Sequence, residues 1–272
     1  MSRRFIRASA QKLQALQARR LDGYLCVALV LDGKTFAADT LVSALGITAT
    51  GEKVCLGFVQ TGTENATTCG AFLRQLGERG LRYEQGLLCV IDGAKGLRKA
   101  VAQVFGAAGV VQRCRWHKRE NVVAYLPPTQ QGAWRRKLQA AYAQPTYEGA
   151  KAALARVRKD LQLVNRSAVE SLDEGLEETL TLHRLECAAP LGASLKTTNC
   201  LESIHAQVEQ RTAMVDHWRT SDQKQRWMAA ALLDIEPRLR RIKGYHHLPL
   251  LQRALAAEVQ RMPQGPAAQA AA

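Results

Sequence analysis

The sequence predicts an α/β protein: a mixed sheet flanked by helices, interrupted by an all-helical insertion and followed by a helical C-terminal region. Three observations lead there. Two continuous apolar runs, residues 25–31 (LCVALVL) and 87–91 (LLCVI), are too short for helices and suit strands buried on both faces. Between them, residues 41–47 and 54–59 are strand-like and separated by a turn containing Gly51, so the first three strands form an antiparallel meander. From 129 to 196 there is helical periodicity and no strand signal.

The elements follow in order. Residues 5–21 form an amphipathic helix with Ile6, Ala10, Leu13, Leu16 and Leu21 near one face. The first strand is expected to stop at Asp32-Gly33. After the meander, Cys69, Phe72, Leu73 and Leu76 share a helical face closed by Gly80. The second buried strand ends at Asp92-Gly93. Leu97, Ala100, Val101, Val104 and Phe105 mark the next helix, closed by Gly106, and residues 110–112 form a short strand. Three antiparallel strands followed by strand, helix and strand is the order found in ribonuclease-H-like nucleases, an analogy of fold alone. In the insertion, Trp134, Leu138, Ala141 and Tyr142 make one stripe, Tyr147, Ala150, Leu154, Val157 and Leu161 another, and 170–185 is read as a third helix. The chain is thereby divided into an N-terminal helix (1–22), a first part of the core (23–127), the insertion (128–196), C-terminal helices completing the core (197–260) and a disordered tail (261–272).

Composition narrows the partners. There are 272 residues, with 38 Lys+Arg against 24 Asp+Glu and a net charge of +14. Self-repulsion of that size is best tolerated beside a polyanion, nucleic acid first and an anionic membrane surface second. No stretch approaches the ~20 apolar residues that span a bilayer, and the basic start precedes no apolar run of a secretory signal. Seven scattered cysteines suit free thiols in a reducing compartment, so a cytoplasmic protein is expected.

Three carboxylates attract attention. Asp32 and Asp92 each follow a buried strand, where side chains emerge at the carboxyl end of a sheet. One Asp-Gly alone is ordinary turn chemistry. Two in equivalent positions argue for a site, and two carboxylates meeting there need a cation between them, for which Mg²⁺ is suited. Glu202, in the string TTNCLES, has two readings left open: a capping box with Asn199 as N-cap, or a third acidic ligand. Cys114-x-x-His117 could be half of a zinc site, with His183 and Cys187 as the other half, although the second pair lies in a helix where such residues usually just pack. Arg113, Arg115, Lys118 and Arg119 put four cations within seven residues and read as DNA contacts. Asp32-Gly-Lys-Thr35 lacks the upstream glycine of a phosphate-binding loop, because residue 28 is Ala. His246, His247, Trp218 and Trp227 are read as surface or packing residues.

The strings LVLDGKTFA, ALGITATGEKVCLGFVQTGTEN, VIDGAKGLRKAV, VVQRCRWHKRENVVAYLP, LKTTNCLESIHAQVEQRT and RRIKGYHHLPLLQRAL occur in this order over nearly the whole chain. In them the chain resembles the mutator-type transposases of bacterial insertion sequences. The resemblance implies an Asp-Asp-Glu triad on a ribonuclease-H-like core, falling on Asp32, Asp92 and Glu202, with a helical insertion before the glutamate. It implies metal-dependent cleavage and strand transfer of double-stranded DNA with two Mg²⁺ or Mn²⁺ ions, by a homodimer or higher assembly. His117 is implied near the reacting phosphate, and Arg113, Cys114, Arg115, Lys118, Arg119 and Asn199 are the expected DNA contacts. Because Ser2-Arg-Arg-Phe5 resembles the end of the family's N-terminal DNA-reading region, most of that region is expected to be missing, leaving binding that is salt-sensitive and indifferent to sequence. The alternatives are a non-catalytic DNA-binding relic and a structure-selective nuclease.

Overall fold

The computed structural model describes residues 3–261 apart from 37–38, 63–64, 216 and 219, so the expected tail lies almost wholly outside the described residues. Helix α1 (Arg3–Ala18) precedes strands β1 (Cys26–Phe36), β2 (Asp39–Thr48) and β3 (Lys53–Thr61). Helix α2 (Ala66–Glu78), strand β4 (Leu87–Ile91), helix α3 (Lys95–Phe105), strand β5 (Gly109–Arg113) and helix α4 (Arg115–Val123) follow. The helical stretch comprises α5 (Pro128–Tyr142), α6 (Tyr147–Gln162), α7 (Arg166–Asp173), α8 (Leu176–Thr179), α9 (Thr181–Arg184) and α10 (Ala188–Leu195). The chain then forms α11 (Asn199–Thr212), α12 (Ser221–Ile235) and α13 (Leu248–Arg261). Among the described residues no helix is long and apolar enough to cross a membrane.

The five strands lie in the order β3-β2-β1-β4-β5. The meander is antiparallel, and β4 and β5 run parallel to β1. Alternation along the strands builds two cores from one sheet. Leu29, Leu31, Cys89 and Ile91 face α2 and α3, through Phe72, Leu76, Leu97 and Val101. Val30, Leu88 and Val90 face the other way, against Leu16 of α1, Leu191 of α10, Leu201 and Ile204 of α11, and Leu251 of α13. Aromatic contacts tie α1 and β1 to the C-terminal region: Phe5 lies 5.0 Å from Trp227 and Phe36 lies 5.0 Å from Trp218, ring to ring. All seven cysteines are free, six of them buried, and burial holds the Cys26, Cys55 and Cys89 thiols well above their ordinary range.

Two expectations are corrected. Strand β1 does not stop at Asp32; it runs on to Phe36, because β2 continues to pair with it as far as Phe36↔Asp39. Only the parallel ladder with β4 ends there, at Leu31↔Ile91. The segment 170–185 is not one helix either. Glu174 and Gly175 interrupt it, Gly175 with φ +68°, and Leu180 interrupts it again, so that three short helices result.

The helical stretch has its own core, in which Trp134, Leu138, Leu154, Leu161 and Leu172 pack with Val122 and Val123 at the end of α4. Its short helices leave last-turn carbonyls without intrahelical donors. Buried side chains from β5 and α4 supply them. Arg113 Nη1 donates to the Glu174 carbonyl at 3.0 Å, Arg115 Nε to that of Thr179 at 2.9 Å, and Lys118 Nζ to that of Ser171 at 2.5 Å. Arg115 also reaches the Tyr142 carbonyl at the end of α5 and His183 Nδ1, at 3.4 and 2.7 Å. Cations at helix C-termini are favourable on both hydrogen-bonding and dipole grounds.

Substituting Lys118→Met keeps the buried stem and removes the donor, orphaning the Ser171 carbonyl. The variant should lose about 1–3 kcal/mol in urea unfolding; stability equal to the parent would show that this contact contributes nothing. Burial, then the Arg115 charge, lowers the pKa of His183 below its ordinary 6.5. The unfolded chain therefore takes up this proton first as pH falls. Above pH 6.5 the group adds no pH dependence; below it stability declines until the folded-state pKa is passed. A His183→Gln variant should show a shallower loss of stability through that window, measured by thermal denaturation at stepped pH.

Candidate active site

Where the β1–β4 ladder ends, two carboxylates lie on neighbouring strands. Asp32 and Asp92 each follow a paired residue, Leu31 and Ile91, so their backbones are about 5 Å apart. Alternation sends both toward the face covered by α11. Asp32 is 5% exposed and pairs across β2 with Ser43. Asp92 is half-buried, and its Oδ1 accepts the Ala94 N–H at 2.9 Å, a local turn bond. Gly93 follows because its φ is +106° and any Cβ there would collide with the Arg113 guanidinium.

Helix α11 lies over these strands through Leu201, Ile204 and Val208. Glu202 and His205 are one turn apart on it. His205 is buried, with Nε2 3.0 Å from Ser43 Oγ and Nδ1 3.7 Å from Asp32 Oδ2. Burial, then the Lys34 charge, pushes its pKa down to about 4, so at neutral pH this is a neutral ring beside a carboxylate and not an ion pair. The carboxylate favours the tautomer protonated on Nδ1, leaving Nε2 to accept the Ser43 hydroxyl. The approach to Asp32 is too long for a hydrogen bond, and Nδ1 has no such partner.

Glu202 is not part of a capping box. The N-cap is Thr198, not Asn199, and it makes no side-chain cap bond. Instead the Thr198 hydroxyl donates to Glu202 Oε1 at 2.9 Å and lies 3.4 Å from His117 Nδ1 and 3.6 Å from Cys114 Sγ. His117 Nε2 is 3.9 Å from Glu202 Oε1. Burial disfavours a charge on His117, but hydrogen bonding to Cys114 and the Asp32 and Glu202 carboxylates outweigh it and push the pKa up to about 9. The same contacts with His117 bring the Cys114 thiol below its ordinary value in spite of burial. His117 is thus cationic at neutral pH, held so by Cys114 first and by the Asp32 and Glu202 charges after it. Trp116, 41% exposed, stands edge-on to it at the rim.

The expected DNA contacts divide. Arg113, Cys114, Arg115 and Lys118 are buried, the three cations by the helix-capping bonds above, so they are withdrawn from any DNA surface. Arg119 is half-buried and ion-paired with Glu120 at 2.9 Å. Asn199 is exposed at the start of α11. Both ring nitrogens of His183 are engaged, by Arg115 and by the Gln144 carbonyl, and Cys187 lies in the sheet core, so this pair does not complete a zinc site with Cys114 and His117. Among the described residues no three His, Cys, Asp or Glu side chains stand close enough to hold a metal ion as they are. Thr198, Ser43 and His205 were not singled out from the sequence. For His205 the Glu-x-x-His spacing was a usable signal; for the other two only the strand register and helix placement reveal them.

The chain is similar to known proteins along most of its length. The family model described as "Transposase, Mutator family" matches residues 8–240. The transposase for insertion sequence element IS6120 of Mycolicibacterium smegmatis is 30% identical over 172 residues, covering 63% of this chain and 52% of that protein. The transposase for IS905 of Lactococcus lactis is 26% identical over 213 residues, covering 76% and 53%. The transposase for IS1081 of Mycobacterium tuberculosis is 28% identical over 257 residues, covering 91% and 60%. The chain thus spans roughly half the length of several curated relatives it matches. With the family model covering most of its length, this chain belongs to the Mutator family of transposases.

Proposed function

We propose that this chain carries the catalytic centre of a DNA transposase, with Asp32, Asp92 and Glu202 as an acidic triad on a ribonuclease-H-like core. The observation that carries the reading is the convergence of sequence-distant segments: Asp32 and Asp92 at neighbouring strand positions, and Glu202, with His117 at 3.9 Å, on the helix that packs over that face. The sheet order β3-β2-β1-β4-β5 with helices on both faces agrees with that core.

The donor set suits a hard divalent cation, since all three candidates are carboxylates. Asp32 and Glu202 already favour a positive charge, here that of His117. To serve as a ligand, Asp92 would give up its turn bond to Ala94. Mg²⁺ or Mn²⁺ held there would stabilise the attacking and leaving oxygens of an in-line displacement. The chain's own groups do the rest. Ser43 holds the His205 ring beside Asp32, Thr198 fixes the Glu202 carboxylate, and the His117 imidazolium offers a donor to a phosphoryl oxygen. Water as nucleophile gives strand cleavage and a free 3′-hydroxyl; that hydroxyl as nucleophile joins the strand to a second DNA by transesterification, without ATP.

Asp32→Asn, Asp92→Asn and Glu202→Gln should each lower Mn²⁺-dependent cleavage and joining of pre-cleaved ends by ~10³-fold or more in a folded protein. Near-normal cleavage by Glu202→Gln would remove it from the triad, and cutting without joining in the parent would make the chain a nuclease. His117→Ala should reduce the rate by ~10²-fold or more with little change in thermal stability, its side chain being 28% exposed. Unfolding of that variant in parallel with its activity would instead mark His117 as a structural residue.

A further inference from the structure

With Arg113, Arg115 and Lys118 turned inward, the basic surface lies elsewhere. A cleft of about 730 Å³ separates the start of α11 from residues 238–243, the irregular segment after α12. Lys53, Lys196, Arg238, Arg240, Arg241 and Lys243 line it, and no Asp or Glu does. Arg238 and Arg241 form exposed ion pairs, with Asp234 at 3.4 Å and Glu52 at 3.5 Å, which are weak in water. Among the described residues Lys53, Lys196, Arg240 and Lys243 make no ion pair. Between the cations stand hydroxyl and amide groups, including Asn199, Ser203 and Gln207, a single stripe of α11 at four-residue spacing. The adjoining stripe of that helix carries Glu202.

The basic segment is anchored. Ile242 is buried and donates its N–H to the Gly51 carbonyl at 2.9 Å, and the Lys243 carbonyl accepts the Ser194 hydroxyl at 3.1 Å. Arg240, Arg241 and Lys243 stay exposed around that anchor. Four cations outside any ion pair, brought to one cleft from β3, the end of α10 and the anchored segment, repel one another unless an anion joins them. A neutral small ligand is a poor fit, because six of the sixteen lining residues are Lys or Arg. A membrane is a poor fit, because a bilayer surface cannot enter a concave cleft. A chain of phosphates, one per nucleotide, meets the cations in succession while the stripe of donors bonds its oxygens.

We propose that this cleft is the track of a DNA strand's sugar–phosphate backbone, leading it along α11 to the Glu202 carboxylate. The destination rests on the phosphoryl-transfer reading; the binding chemistry does not. The test is fluorescence anisotropy of a labelled random-sequence duplex with the full chain, without divalent ions, over a salt series. The triple variant Lys196→Ala, Arg240→Ala, Lys243→Ala should bind on the order of 10-fold more weakly, and its salt slope should fall by about two to three counterions. A control triple of equal charge, Lys99→Ala, Arg136→Ala, Lys159→Ala, removes exposed cations from other surfaces and should change affinity about 2-fold at most. Glu202→Gln should bind as the parent does. The proposal is overturned if the cleft triple binds like the parent, if the control loses as much, or if the parent prefers anionic vesicles to the duplex. Loss of cleavage activity bears on the catalytic reading alone, and weakened binding by the cleft triple supports the track whether or not the parent cuts DNA.

Discussion

The Arg113 guanidinium is the constraint on which the arrangement turns. It lies between Gly93 and Gly175, two positive-φ residues at which any Cβ would strike it, and it donates to the Gly93 and Glu174 carbonyls. One side chain thereby joins the loop after β4 to the break between α7 and α8. Arg115 and Lys118 extend the connection to α8, α5 and α7. The helical stretch is thus fastened to the sheet by hydrogen bonds that its own helices could not make. A buried Lys or Arg is costly unless it is so satisfied. Burial pushes Lys118 down to about 8, a value at which it remains largely charged at neutral pH. Because His117 lies between Arg115 and Lys118 on the same turns of α4, fixing the cations also fixes the histidine that faces the carboxylates.

The carboxylates pose the reverse problem. Asp32 is buried in a strand whose neighbours are Val30 and Leu31, and it needs partners that neither displace nor neutralise it. A neutral His205 contributes polarity at 3.7 Å without a full counter-charge, and the cationic His117 acts from a distance. The attraction of these carboxylates for positive charge shows in His117, whose pKa they help to raise. Carboxylates and a cationic histidine brought together from several elements are a better indication of chemistry than any single acidic residue.

The sheet and the helical stretch were legible because burial on both faces writes continuous apolar runs and burial on one writes a 3.6-residue period. The end of β1 was not. Asp32-Gly33 reads as a turn, yet β2 supplies a partner for four residues more, and partner availability is a tertiary fact. The short helices α7–α9 were merged for a similar reason: Gly175 was visible, but the carbonyl donors that let helices of four residues persist come from β5 and α4, far away in sequence. The strand ends and the TTNCLES string pointed to Asp32, Asp92 and Glu202, and the resemblance fell on the same three. It could not tell that Thr198 rather than Asn199 begins α11, which frees Glu202 from the cap.

Charge is where local reading failed most instructively. Four cations in seven residues resembled a phosphate-binding surface, whereas a cation's role depends on which acceptor is nearest and how much water remains. Arg113, Arg115 and Lys118 meet backbone carbonyls in the interior, and their charge serves the fold. Arg240, Arg241 and Lys243 surround a buried Ile242 anchor and meet water, so their charge remains available to a partner. The two groups are alike in composition and opposite in consequence. The net charge of +14 is therefore not a uniform measure of affinity for polyanions: part of it is already committed to helix termini, and what remains acts where the backbone holds several cations together facing solvent.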